Sequence, residues 1–179
     1  MAAPPPVATF RLPDAQPGLT RAYVGLGANL GDAQATLASA FAALACLPGT
    51  ALVGRSALYA SAPVDAAGPD FTNAVAALDT PLAPPALLAA LHAIEATHGR
   101  QRSHRNAPRT LDLDLLAHGS STLDTPTLTL PHPRLHLRAF VLVPLLALVP
   151  DLALPGLGPL APYLSPLRGQ VLIRLPGPA

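Results

Sequence analysis

The 179-residue chain predicts an α+β fold, a ferredoxin-like β-α-β-β-α-β sandwich with additional C-terminal elements. Three observations carry that expectation. Segments between residues 22 and 118 alternate in the order strand, helix, strand, strand, helix, strand. The two helical stretches each place apolar residues along one face, so each needs a sheet to cover it. Beyond residue 118 the chain stays apolar but is broken by prolines, which reads as added elements rather than a second domain.

In order, residues 1–20 are Pro/Ala-rich without periodicity and read as a disordered N-terminal arm, leaving 21–179 as a single domain. "AYVGLG", Ala22–Gly27, reads as the first strand. From Asp32 to Leu47, the spacing of Leu37, Phe41 and Leu44 predicts a helix that stops at Pro48-Gly49. Thr50–Tyr59 and Phe71–Leu78 read as strands flanking a Pro63–Pro69 loop. Pro84-Pro85 opens a second helix with Leu87, Leu91 and Ile94 on its apolar face and Gly99 as its C-terminal cap. After a polar stretch, Asp112–His118 is the next strand. "AFVLVPLLALVPDL" is apolar enough for helix or strand, and Val171–Leu175 reads as a terminal strand.

Composition narrows the function classes. A net charge of +1 gives no bulk attraction to nucleic acid or to a membrane surface. No run approaches ~18 uninterrupted apolar residues, so no membrane span is expected. The start lacks a basic leader with an apolar core, and Cys46 is the single cysteine, which together point to a soluble cytoplasmic protein without a disulfide framework. All eleven basic residues are arginines, four of them between Arg100 and Arg109, and Glu95 is the one glutamate.

"RNAPRTLDLDLL" holds the most specific signal. Alternation in a strand puts Asp112 and Asp114 side by side on one face, where like charges repel. They could be ordinary solvated acids. A divalent cation would instead offset the repulsion, and Mg²⁺ commonly takes one or two carboxylates and completes its shell with phosphate oxygens and water. Arg100, Arg102, Arg105 and Arg109 precede the pair, and guanidinium forks suit phosphate, so the metal–phosphate reading is preferred. "GLGANLGD" fails the dinucleotide spacing because position 30 is Leu; a tight strand-to-helix turn with Asp32 near the helix start is the simpler reading. His92 and Glu95 share a helix face, and His132 is held between two prolines. The scattered histidines show no zinc spacing. A core role is the default for Phe71, although beside the polar Asn73 it could stack on a flat ligand.

These blocks, "GLGANLGD", "RNAPRTLDLDLL" and "LPHPRLHLRAFVLVPLLALVPDL", closely resemble those of the 6-hydroxymethyl-7,8-dihydropterin pyrophosphokinases of folate biosynthesis, in the same order from about Ala22 to Leu154. The resemblance implies transfer of pyrophosphate from ATP to the pterin hydroxymethyl oxygen, with AMP released. It implies two Mg²⁺ ions on Asp112 and Asp114, with Arg100 and Arg109 as their catalytic companions. Leu88, His92, Glu95, Arg100, Arg102, Arg109, Leu115, His132 and Arg138 match ATP contacts, and Ser61, Val64, Phe71, Asn73 and Phe140 match pterin contacts. The family generally acts as a monomer. Ala28, Asp65, His92, Asn106, Ala107 and Pro133 depart from common family residues and bear on individual contacts more than on the reaction. The alternative from another class is a ferredoxin-like module that binds nucleotide or pterin without turnover.

Overall fold

The computed structural model describes residues 12–63, 68–99 and 110–176. Strand β1 (Thr20–Ala28) leads through a short turn to helix α1 (Ala33–Ala45). Asp32 caps that helix, its carboxylate accepting the Ala35 N–H at 3.0 Å, as its place at the helix start predicts. Gly31 before it adopts φ +62°, a conformation that a side chain would strain.

The single strand expected over 50–59 is two pieces, β2 (Ala51–Arg55) and β3 (Tyr59–Ser61). Ser56 makes the break: its hydroxyl oxygen accepts the Val75 N–H at 2.9 Å, and its own N–H donates to the Val75 carbonyl. A local side-chain bond thus replaces the regular ladder. Both pieces pair with the long strand β4 (Phe71–Thr80), followed by α2 (Pro84–Thr97) and β5 (Asp112–His118). The main sheet is antiparallel and runs β10-β3-β4-β1-β5, with β2 also on β4; β10 (Ile173–Arg174) is the terminal strand. Two small hairpins, β6 (Leu123–Asp124) with β7 (Thr129–Leu130) and β8 (Ala153–Leu154) with β9 (Gly158–Pro159), complete the strands among the described residues.

Both faces of the sheet are covered. Val24, Leu26, Ala76 and Leu78 face α1 and α2, where Leu37, Leu44, Leu87 and Leu91 are fully buried. Each such leucine contributes about 2 kcal/mol of burial. Tyr23, Val75 and Ala77 face the other way, against α3 (Ala139–Leu148) and the C-terminal turns. The ambiguous apolar segment is therefore a helix, and its lack of polar residues follows from its burial. Strand β4 is buried from Thr72 to Thr80 because both faces are occupied.

Of the segment read as an arm, Leu12 packs against this second face. Leu12 is buried over Gly54, and Arg21 donates to the Pro13 carbonyl at 2.7 Å. Arg21 also forms a two-pronged ion pair with its cross-strand partner Asp79, both largely buried.

Candidate active site

The site is set by register. Asn73 of β4 pairs with Gly27 of β1, which pairs with Asp112 of β5; the next row holds Val75, Gly25 and Asp114. Cross-strand partners point the same way, so Asn73, Asp112 and Asp114 share one face. That face is the one opposite α1 and α2, because the intervening Leu26, Leu113 and Leu115 enter the core beneath those helices. Gly27 leaves a floor without a side chain between Asn73 and Asp112, whereas beside Gly25 the buried Leu116 side chain stands 3.4 Å from where a Cβ would be. At about 4.8 Å per strand, roughly 10 Å separates the Asn73 and Asp112 backbones.

Asn73 is fixed on its inner side. Its amide nitrogen donates to the Ser61 hydroxyl at 2.9 Å, while its Oδ1 lies 3.4 Å from where a Gly27 Cβ would be. Phe71 borders the same spot at 3.9 Å. Phe140 stands in the first turn of α3 with the Arg138 guanidinium 5.5 Å from its ring centre, and it makes no ring contact with Phe71 among the described residues. Val64, expected beside them, lies outside the described residues, as do Arg100, Arg102, Arg105 and Arg109.

At the carboxylate end, a cavity of about 360 Å³ opens beside β5. Leu88 and His92 of α2, Asp112, Asp114 and Leu115 of β5, and His132 all line it, so six of the expected residues converge. Glu95 does not line it. That carboxylate is 1% exposed and accepts the Leu113 N–H at 2.7 Å from inside.

The far wall was not foreseen. It is the β6–β7 turn, Thr125–Thr129, closed by the Thr125 hydroxyl accepting the Leu128 N–H at 3.0 Å. Uncharged Thr and Pro residues in a turn carry no chemical signature; "DTPT" marks only the turn. Gly27 lies inside β1, as expected of the strand Ala22–Gly27, and a glycine within a strand often marks close approach of a ligand, a role not foreseen for it. A second cavity, about 280 Å³, lies at the other end of the sheet between Leu12–Ala15 and Val149–Ala153, and none of the expected site residues lines it.

His132 is fixed from several sides. Its backbone N–H donates to the Leu116 carbonyl at 2.8 Å, and its Nδ1 accepts the Arg134 N–H at 3.1 Å. Burial, then the charges of Arg138 and Arg134, lower its pKa from 6.5 to about 4, with Asp112 opposing them. The ring is neutral at pH 7, with Nδ1 occupied and its hydrogen on Nε2, ready to donate. Between pH 6.5 and about 4 the unfolded chain takes up this proton and the folded chain does not, so stability falls as pH falls through that window. A His132→Asn protein is expected to show a shallower decline in urea midpoint from pH 7 to pH 4.5; an unchanged slope would refute the assignment.

The family model for 7,8-dihydro-6-hydroxymethylpterin-pyrophosphokinase matches residues 23–150, which include every residue placed at the site above. The chain belongs to this family. A 2-amino-4-hydroxy-6-hydroxymethyldihydropteridine pyrophosphokinase of Pseudomonas aeruginosa is 48% identical over 160 residues, 89% of this chain and 99% of the relative. The enzyme of that name from Methylorubrum extorquens is 46% identical over 139 residues, 77% of this chain and 88% of its own length. The crystal structure of a Plasmodium falciparum HPPK-DHPS chain aligns with a TM-score of 0.62 at 13% identity, over 81% of this chain and 45% of that chain, a likeness of fold. Among the described residues no helix is long and apolar enough to cross a membrane.

Proposed function

We propose that this pyrophosphokinase of folate synthesis joins ATP and 6-hydroxymethyl-7,8-dihydropterin across the Gly27 floor. Asp112 and Asp114 hold two Mg²⁺ ions at one end, and Asn73 reads the pterin at the other. The observation that carries the reading is the row Asn73–Gly27–Asp112, three strands wide. It sets a fixed amide and a carboxylate on one face, about a pterin's length apart.

The carboxylate pair suits the metal. Two hard oxygen donors lie side by side on one strand face, a donor set that suits a hard divalent ion. When bound, Mg²⁺ neutralises phosphate charge and lowers the pKa of the attacking hydroxyl. The chain's own residues do the rest. Ser61 locks the Asn73 amide so that its carbonyl oxygen meets ring N–H donors, and Phe71 and Phe140 flank the ring. Leu88, His92 and Leu115 line the nucleotide cavity, and neutral His132 offers Nε2–H to a phosphate oxygen. Arg138 adds charge beside His132, as its effect on that ring's pKa indicates. Arg100, Arg102 and Arg109 supply further phosphate contacts, Val64 completes the pterin loop, and Glu95 supports the nucleotide end from beneath.

In the reaction the pterin hydroxymethyl oxygen attacks the β-phosphorus of ATP. The bond from that phosphorus to the α,β-bridging oxygen breaks, AMP leaves with the bridging oxygen, and the hydroxyl proton passes to water. Positioning and charge compensation provide the acceleration, with no dedicated general base. The strand order, with β2 and β3 taken as halves of one broken strand, supports a ferredoxin-like sandwich with C-terminal additions. A cytoplasmic monomer completes the reading.

The deciding experiment mixes protein, Mg²⁺, ATP and the pterin, and resolves AMP from ADP. AMP formed one-for-one with pterin loss is expected. ADP would mean single phosphoryl transfer, and binding of both ligands without product would mean a non-catalytic module. A second outcome concerns the floor. Gly27→Val puts a branched side chain against Asn73 Oδ1 while remaining at ease in a strand. Its KM for the pterin is expected to rise about tenfold or more, with a smaller change in the KM for ATP. An unchanged pterin KM would show that the ligand does not lie over Gly27.

A further inference from the structure

We infer that Glu95 is a positioning residue for the aspartate pair, acting through the peptide that joins Asp112 to Leu113. This rests on the reading of Asp112 and Asp114 as the metal ligands. Strand β5 is at the edge of the main sheet, paired only with β1 within it. In an antiparallel pair alternate residues bond toward the partner, and those between point their N–H and C=O groups outward. The Leu113 N–H points outward. Leu113 is 2% exposed, so water does not satisfy that donor. The Glu95 carboxylate does so at 2.7 Å.

The arrangement is unusual for α2. Positions 87, 91 and 94 carry its buried apolar stripe, and 95 continues that face with the chain's one glutamate, 1% exposed. Burying a carboxylate is costly unless it makes strong hydrogen bonds, and an N–H to an ionised acceptor is among the strong ones. The bond ties α2 to the residue between the two aspartates. Rotation of the Asp112–Leu113 peptide would turn Asp112 and Asp114 together out of their common row with Gly27 and Gly25. Glu95 thus supports the carboxylates without reaching the cavity they line. Supports of this kind commonly carry 10- to 100-fold in metal affinity.

Two variants separate the hydrogen bond from the charge. Glu95→Gln keeps an oxygen at the same reach without the charge; Glu95→Asp keeps the charge but is one methylene short. Mn²⁺ binding is measured by electron paramagnetic resonance in the presence of a non-hydrolysable ATP analogue. Leu113 amide exchange is followed by NMR on leucine-labelled protein. Glu95→Asp is expected to weaken Mn²⁺ binding about tenfold or more and to lose protection at Leu113, with Glu95→Gln staying within about threefold and keeping protection. The reverse order, or two variants that bind Mn²⁺ like the parent, overturns the inference. Asp114→Asn is run beside them. If it too binds Mn²⁺ like the parent, the metal reading itself has failed, whatever Leu113 shows.

Discussion

Replacing Asp114 by alanine is expected to abolish turnover while leaving the fold in place. The side chain is half-buried on the open face of β5, and the strand is held from its other face by Leu113 and Leu115. Little packing is lost. What goes is one of the two carboxylates, and with it charge stabilisation worth several kcal/mol. A fall in kcat/KM of about a thousandfold or more follows at 1.36 kcal/mol per decade. Thermal unfolding should move by only a few degrees. Full activity in a folded Asp114→Ala protein would end the two-metal assignment.

Removing Asp79 is expected to do the opposite, destabilising the protein without touching the chemistry. Its carboxylate is almost fully buried against Arg21, whose Nη2 donates both to Asp79 and to the Pro13 carbonyl and so holds the segment that carries Leu12. Asp79→Ala leaves a guanidinium under cover without its counter-charge, at a cost of about 3–5 kcal/mol. For a domain of this size that lowers the melting temperature by roughly 10 °C. Arg21 is six residues along β1 from Gly27, about 20 Å away, so kcat at low temperature should be near the parent value. The paired change Arg21→Leu with Asp79→Leu should recover most of the loss, because it strands no charge. A double variant no more stable than Asp79→Ala would show that the ion pair itself, rather than the uncovered charge, is what matters.

What could be read without coordinates was local. Asp32 as a cap, the face of α2 and the alternation of Asp112 with Asp114 each depend on neighbours within a few positions, and each has its expected place. The break at Ser56 was not legible, because it depends on the N–H of Val75, nineteen residues away. Nor was the state of "AFVLVPLLALVPDL", since a segment buried on every side has no period to display. In the site the residues with charge or aromatic rings announced themselves. Gly27 and the Thr125–Thr129 wall did not, for they matter through the space they leave or enclose. Glu95 stood out only as the one glutamate, on a flank shared with His92; its burial was not legible, because it depends on the Leu113 N–H eighteen residues away.

The order in which the strands pair also governs when the site can exist. Strand β1 is made first, yet its partners are β4, some fifty residues on, and β5, some ninety residues on. Such distant pairings carry a high loop-closure cost and form late on the folding route. On the ribosome, the row from Asn73 to Asp112 cannot close until β5 has emerged. A nascent or truncated chain lacking β5 would hold Asn73 but neither aspartate.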